Sequence, residues 1–287
     1  MSFKHILMAT CLGTALLSMT TSCNMTQEEK ERIARKAAGK DDFRDSEKWG
    51  KVVTRTLELE DFCSIVRHGN ADIKVKQGED CRVKVTGNEK AIEAYSISIG
   101  PGGTGGASNP TLYVSIDEEK FGQVPSIKVS VTMPRIMNIT MDSGNGDIEF
   151  KGNFDNNIYG SDYGIGIEMW DDGDLEANTL KTGTFFLNIY GGSGDVRIKK
   201  VESNMVRIST TSEGDINTDI QAKDIDVEIN GAGDADLDVK CQNLTVTASG
   251  TGEIELKGEC AHLTKQSSGL ASIDSRKLAI HKKVVIQ

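Results

Sequence analysis

The sequence predicts an all-β protein whose second half is a β-solenoid, a stack of parallel β-helix-like coils of about 20 residues each. Three observations carry this prediction: apolar and polar residues alternate with period 2, a Gly-Asp motif recurs, and proline is absent after position 134. The chain has 287 residues, of which 37% are hydrophobic, enough to build a core. Its formal net charge of −10 repels phosphate backbones, which argues against a nucleic-acid partner.

The first 22 residues are typical of a lipoprotein signal peptide. Lys4 provides a basic start, residues 6–17 form a short apolar run, and the small residue Ser22 directly precedes Cys23. Thr20 stands where such cleavage sites usually carry an aliphatic residue, so simple secretion is the alternative. We expect Cys23 to be lipidated, residues 23–50 to form a tether, and the protein to be lipid-anchored to the outer membrane, on the periplasmic side or at the cell surface.

Residues 51–140 are predicted to form an N-terminal β section. Apolar residues alternate with polar ones in short runs that are broken by turn signals such as Gly69-Asn70 and Gly87-Asn88. This pattern is typical of antiparallel hairpins. The Gly-rich segment 100–106 is followed by another strand-like run rather than by a helix, so we interpret it as a hairpin loop and not as a phosphate-binding loop.

Residues 141–287 carry the repeat. Glycines followed by an acidic or apolar residue and a short alternating run stand at successive positions, namely Gly146, Gly173, Gly194, Gly214, Gly233, Gly252 and a degenerate copy at Gly269. Two short strands and a sharp turn in each copy describe one coil of a solenoid. The absence of proline supports this, because a strand that is bonded on both sides needs its backbone N–H.

The order of these motifs resembles the head GIN domain family. The resemblance covers about residues 55–275 and rests on Phe62-x-x-Ile65, on the segment 71–78, and on the iterated Gly-Asp-Ile motifs. The family is described as an auto-transporter adhesin domain of unknown function and is common among envelope lipoproteins of Gram-negative bacteria. The resemblance implies a solenoid-like β fold and an envelope location, and it offers no catalytic residues.

Acidic residues follow most of the turn glycines. On stacked coils they would lie about 4.8 Å apart, a spacing that could attract Ca²⁺, the one cofactor we consider. The simpler interpretation is turn chemistry, in which the aspartate side chains accept hydrogen bonds from backbone N–H groups. The group Asp171, Asp172 and Asp174 is the best single candidate for a metal or acid/base site.

Aromatic residues cluster between positions 150 and 190. We expect most of them to fill the first coils and their loop. Tyr159, Tyr163 and Trp170 are the candidates for stacking on a glycan, since carboxylates lie near them in the sequence.

Four cysteines remain when Cys11 is removed and Cys23 is lipidated. Cys241 and Cys260 each stand three residues before a leucine in successive copies, so stacking would place their Cα atoms about 5 Å apart, within disulfide range. Cys63 and Cys81 flank one predicted hairpin and form the second candidate pair. Buried free thiols are the alternative for both pairs.

The sequence therefore predicts a non-enzymatic, lipid-anchored, extracytoplasmic binding protein. An adhesin-like role toward a glycan or a matrix protein comes first. A polysaccharide lyase or hydrolase that works in a solenoid groove is one alternative, and a structural or signalling partner of an envelope protein is the other. An aromatic strip on the surface would favour a sugar ligand, whereas an exposed apolar patch would favour a protein partner.

Overall fold

The computed structural model describes residues 46–102, 109–117, 121–160, 163–281 and 285–286. Within these ranges the protein is all-β apart from short helical turns, namely α1 (Ser46–Trp49), α2 (Glu89–Ala94) and a 3₁₀ turn (Asn157–Tyr159). The strands are β1 (Val52–Leu57), β2 (Ser64–His68), β3 (Asp72–Gln77), β4 (Arg82–Asn88), β5 (Tyr95–Gly102), β6 (Asn109–Ile116), β7 (Lys128–Met133), β8 (Asn138–Ser143), β9 (Ile148–Lys151), β10 (Phe154–Asp155), β11 (Gly164–Met169), β12 (Leu175–Lys181), β13 (Thr184–Ile189), β14 (Val196–Glu202), β15 (Met205–Thr210), β16 (Ile216–Gln221), β17 (Asp224–Ile229), β18 (Ala235–Ala248), β19 (Glu253–Ser267), β20 (Ser272–Ile280) and β21 (Val285–Ile286).

The strands pair in two long ladders. The first ladder runs β1–β4–β7–β3–β9–β12–β14–β16–β18–β19–β20. The second runs β5–β6–β2–β8–β11–β13–β15–β17–β18–β19–β21. Strands β18 and β19 are long enough to belong to both ladders, so the whole is one open mixed sheet.

Parallel pairing dominates from β2 onward. Leu175 of β12 lies beside Val196 of β14, and Ile216 of β16 lies beside Ala235 of β18. Each strand thus lies beside the equivalent strand of the next sequence copy, as the recurrence of the Gly-Asp motif predicts. The antiparallel pairs are β1–β4, β4–β7 and β5–β6, all in the N-terminal section.

The predicted antiparallel hairpins of the N-terminal section are therefore only partly present. β5 and β6 form one around the Gly-rich segment, but β2 and β3 pair in parallel, β2 with β6 and β8, and β3 with β7 and β9. The physical reason is that period-2 alternation reports one buried face and carries no information about the direction of the neighbouring strand.

The core is built from columns of aliphatic side chains in register. One buried column in the first ladder consists of Ile73, Ile148, Leu175, Val196, Ile216, Ala235 and Ile254. Its counterpart in the second ladder consists of Ile65, Ile139, Ile167, Leu187, Ile208, Val227 and Val246. Each fully buried side chain contributes about 1.5–3 kcal/mol only when the next strand covers it, so the stability of one copy depends on its neighbours.

The predicted signal peptide 1–22 and most of the predicted tether 23–50, including Cys23, lie outside the described residues. The helices of the described ranges are too short to cross a membrane.

Candidate binding surface

Two exposed aromatic side chains stack on each other at the C-terminal ends of two neighbouring strands in the middle of the second ladder. Trp170 follows β11 and Tyr190 follows β13, and their ring centroids are 4.0 Å apart with an angle of 21° between the ring planes. Trp170 is 51% exposed and Tyr190 is 45% exposed. Exposure of two adjacent large aromatic rings is costly in water, so this pair, which we call the aromatic platform, is the most conspicuous surface feature for ligand recognition.

The platform belongs to a longer column of side chains, most of them exposed, that stand at the end of a strand or just beyond it. Backbone N–H groups along this column each donate to the preceding strand: Trp170 to Met141 and Tyr190 to Met169, for example, at 2.8 and 2.9 Å. The column runs through Asp142, Trp170, Tyr190, Thr211, Asn230, Ser249 and Ser268, and His68 of the neighbouring strand β2 extends it through its side-chain contact with Asp142. With strands about 4.8 Å apart it is roughly 34 Å long.

The geometry of the platform decides in which direction its two outer ring faces point. Its rings are nearly parallel and come from adjacent strands, so the ring normals point along the ladder. The outer face of Trp170 is therefore directed toward Asp142, and that of Tyr190 toward the smaller Thr211. Beside the tryptophan, Asp142 Oδ2 lies 3.0 Å from His68 Nδ1, which leaves the other carboxylate oxygen as a hydrogen-bond acceptor.

The predicted glycan candidates fall into two separate places. Tyr163 directly precedes β11 and Trp170 directly follows it, so the strand holds them roughly 20 Å apart. Tyr159 ends the 3₁₀ turn and is exposed, while Tyr163 is half-buried with the Arg135 guanidinium 5.0 Å from its ring centroid. Tyr190 was not among the candidates. Its signal is the separation from Trp170, which matches the repeat of the Gly-Asp motif.

The aspartates that follow the turn glycines form a hydrogen-bonded column. Asp195 N donates to Asp174 Oδ1 at 3.1 Å, Asp215 N to Asp195 Oδ1 at 2.9 Å, and Asp234 N to Asp215 Oδ1 at 2.9 Å. The same contact begins at Asp72 and ends at Glu253. The carboxylates thus hold backbone N–H groups, as turn chemistry predicts. The N–H belongs to the next sequence copy, however, rather than to the local turn.

The predicted acidic group does not come together as one site. Asp171 is buried and its Oδ2 lies 2.5 Å from Arg67 Nη2, Asp172 Oδ1 accepts from the backbone and hydroxyl of Ser193, and Asp174 belongs to the aspartate column. Within the described ranges no group of three or more His, Cys, Asp or Glu residues is arranged to hold a metal ion. The expectation of a Ca²⁺ or acid/base site at these residues thus finds no support there.

The Arg67–Asp171 pair is the most deeply buried charged contact of the described residues. The two side chains are 0% and 1% exposed. Burial raises the pKa of the Asp171 carboxyl, and the neighbouring Arg67 guanidinium opposes that rise. Because the carboxylate is enclosed and neutralised by a cation, it is poorly placed to meet a substrate.

The four cysteines of the described ranges carry free thiols. Cys241 and Cys260 are direct cross-strand partners in β18 and β19, the register that the repeat predicts. Cys63 Sγ donates to the Pro110 carbonyl and Cys81 Sγ to the Phe62 carbonyl. The predicted disulfides Cys241–Cys260 and Cys63–Cys81 stay predictions for an oxidising compartment.

The chain belongs to the family described as “Putative auto-transporter adhesin, head GIN domain”, whose model matches residues 61–219 and 203–286. The fold is similar to that of a crystal structure described as a “putative adhesin” from Bacteroides fragilis NCTC 9343, with a TM-score of 0.62 and 17% identity over 78% of this chain and 96% of that chain. A second “putative adhesin”, from Parabacteroides merdae ATCC 43184, has a TM-score of 0.52 and 15% identity over 83% of this chain and 97% of that chain. No curated protein matches the sequence.

Proposed function

We propose that this protein is a non-catalytic, adhesin-like binding protein of the cell envelope that holds a glycan at the aromatic platform. The observation that carries the proposal is the stacked, half-exposed pair of Trp170 and Tyr190. Sugars present apolar C–H faces and a rim of hydroxyls, so they match an open aromatic face with an acceptor beside it. The half-exposed Trp170 with the Asp142 carboxylate on its outer side would provide both.

The family and its structural neighbours support the adhesin-like part of this proposal. The family and both neighbours are described as adhesins. An adhesin acts outside the cytoplasm, which agrees with the predicted signal peptide.

We further propose that Cys23 is lipidated and tethers the protein to the outer membrane. Incorporation of a labelled fatty acid that is lost in Cys23→Ser would test this.

We also infer that the two parallel ladders are the walls of a β-solenoid. The inference is supported by the pairing of each strand with its counterpart in the next sequence copy, and by β18 and β19, which pass from one ladder to the other without interruption. In that architecture every copy presents one residue to the exposed column, which would give an elongated ligand a contact at each step.

The test is binding of the purified full chain to an array of glycans. We expect a saturable signal whose affinity falls about tenfold or more in Trp170→Ala and in Tyr190→Ala, a loss of about 1.4 kcal/mol or more. The matched control is Phe186→Ala, an exposed aromatic on the outer face of β13 that lies away from the strand end. Loss of binding in Tyr159→Ala or Tyr163→Ala alone would instead place the site at the other end of β11.

Two alternatives are outcomes of the same experiment. A protein whose glycan signal is absent but which captures an envelope protein would be a structural or signalling partner. Degradation of a polysaccharide during the assay would indicate a lyase or hydrolase. That enzyme hypothesis rests on the group Asp171, Asp172 and Asp174, of which Asp171 is buried against Arg67.

A further inference from the structure

A polar groove lies at the end of the strands opposite to the aromatic platform. It has a volume of about 670 Å³ and follows the places where the chain passes from the first ladder to the second, from Thr182 to Ala261. Small-molecule sites occupy about 300–1,000 Å³, so the groove is large enough for a short oligomeric ligand. We call it the turn groove. It is separated from the platform by the length of one strand, roughly 20 Å.

A row of three polar side chains lines the turn groove, two from turns and one from the point where β18 crosses between the ladders. Lys223 N donates to the Asn204 carbonyl at 3.1 Å and Gln242 N donates to the Lys223 carbonyl at 3.0 Å, which places Asn204, Lys223 and Gln242 in line. All three are exposed. Among the described residues, none of their side chains has a hydrogen-bond or ion-pair partner, although many other polar side chains of the turns do.

The charges that border the groove are otherwise compensated. Glu202 lies between Lys181 and Lys200, at 2.9 and 2.7 Å, and Glu259 pairs with Lys240 at 2.8 Å. Among the charged residues described as lining the groove, Lys223 alone lacks an opposite charge. The groove therefore presents one unneutralised cation on a chain whose formal net charge is −10.

The lining of the groove also indicates what it does not fit. Its apolar members are the small residues Ala222, Cys241 and Ala261. Protein partners are usually anchored by large aromatic or aliphatic side chains that enter apolar pockets, and these walls offer none. Amides, which donate and accept hydrogen bonds, suit a ligand that is rich in hydroxyl groups.

We propose that the turn groove is a second binding site, which takes an acidic oligosaccharide. The amides of Asn204 and Gln242 hydrogen-bond ring hydroxyls, and the Lys223 ammonium pairs with a carboxylate of the sugar. This site is independent of the aromatic platform, so failure of either proposal leaves the other standing.

The experiment is isothermal titration of the purified full chain with two probes of equal length, tetragalacturonate and its fully methyl-esterified form. We expect the acid to bind at least about tenfold more tightly than the ester, because only the acid carries carboxylates. Lys223→Gln should abolish that preference. The double variant Asn204→Ala/Gln242→Ala should weaken the binding of both probes.

Matched controls separate this site from general charge effects and from the platform. Lys199→Gln removes an exposed lysine from the outer face of β14, and Gln266→Ala removes an exposed amide from β19, both outside the groove. Neither should change affinity more than about twofold, and Trp170→Ala should also leave it unchanged. Equal binding of acid and ester, an unchanged preference in Lys223→Gln, or no binding of either probe would overturn the proposal.

Discussion

Arg67 of β2 and Asp171, just beyond β11, form an ion pair of 2.5 Å that is closed off from solvent. Strand β8 lies between β2 and β11, so the pair reaches across two steps of the second ladder. The same guanidinium donates from Nη1 to the carbonyl of Gly69 and, at 2.8 Å, to that of Ser143. One side chain thus fastens the N-terminal strands to the first turns of the repeat.

Removal of one partner of this pair should destabilise the protein severely. Asp171→Asn leaves a buried guanidinium without its counter-charge, which costs about 3–5 kcal/mol. Replacement of both residues in Arg67→Met/Asp171→Leu should recover much of that loss, since neither charge then needs solvation. Urea denaturation measures both effects. The control is Asp172→Asn, which keeps the oxygen that accepts a hydrogen bond from Ser193. If Asp171→Asn is as stable as this control, the prediction is wrong.

The aspartate column should contribute to stability through its hydrogen bonds and without a metal. Asp215→Ala removes the acceptor of the Asp234 N–H and should cost about 1–2 kcal/mol, whereas Asp215→Asn retains an acceptor oxygen and should lose less. Asp219→Ala, an exposed aspartate of β16, is the matched control. Thermal unfolding with added Ca²⁺ and with a chelator should give the same differences. A loss that appears only with Ca²⁺ would support the calcium hypothesis instead.

The glycine of the Gly-Asp motif is required by close packing between copies. A Cβ atom on Gly214 would overlap with the carbonyl oxygen of Gly194, whereas a Cβ on Gly191 would meet no atom within 4 Å. Gly214→Ala should therefore destabilise the protein by at least about 1–3 kcal/mol through steric displacement. Gly191→Ala should be neutral, or stabilising by up to about 1 kcal/mol, because it restricts the unfolded chain. Equal unfolding midpoints for the two variants would show that the motif has another cause.

The recurrence of the Gly-Asp motif was the sequence signal that predicted most about the fold. It predicted that equivalent strands lie side by side, and the pairs Leu175–Val196 and Ile216–Ala235 have that register. The motif can be recognised in the sequence because its two residues make the same contacts in successive copies. The glycine leaves room for the carbonyl oxygen of a neighbouring copy, and the aspartate side chain accepts a hydrogen bond from the backbone N–H of the next copy.

Contacts made only once could not be predicted in this way. Alternation places Arg67 on the same face of its strand as Ile65, and nothing in the sequence relates it to Asp171. The direction of β2 and β3 was missed for a similar reason, because alternation is the same in parallel and antiparallel strands. The aromatic platform was half-predicted: Trp170 was a candidate, but its partner Tyr190 becomes visible only when the two are aligned by the repeat.

The thiol of Cys241 should react slowly in the reduced, folded protein. Burial, the nearby Cys260 and Asp224 raise its pKa to about 12, so at pH 8 only about one molecule in 10⁴ carries the thiolate. Alkylation by iodoacetamide should therefore be about 10³-fold slower than in urea, where the pKa is about 8.5, and should rise about tenfold per pH unit. The folded state keeps this proton up to a higher pH than the unfolded state does. The free energy of unfolding should therefore fall as the pH rises above about 8.5. Mass spectrometry after timed quenching measures the rate. A native rate close to that in urea would contradict the burial of this thiol. Protein isolated without reductant is a separate case. If it lacks two hydrogens and resists alkylation even in urea, it carries the predicted Cys241–Cys260 disulfide.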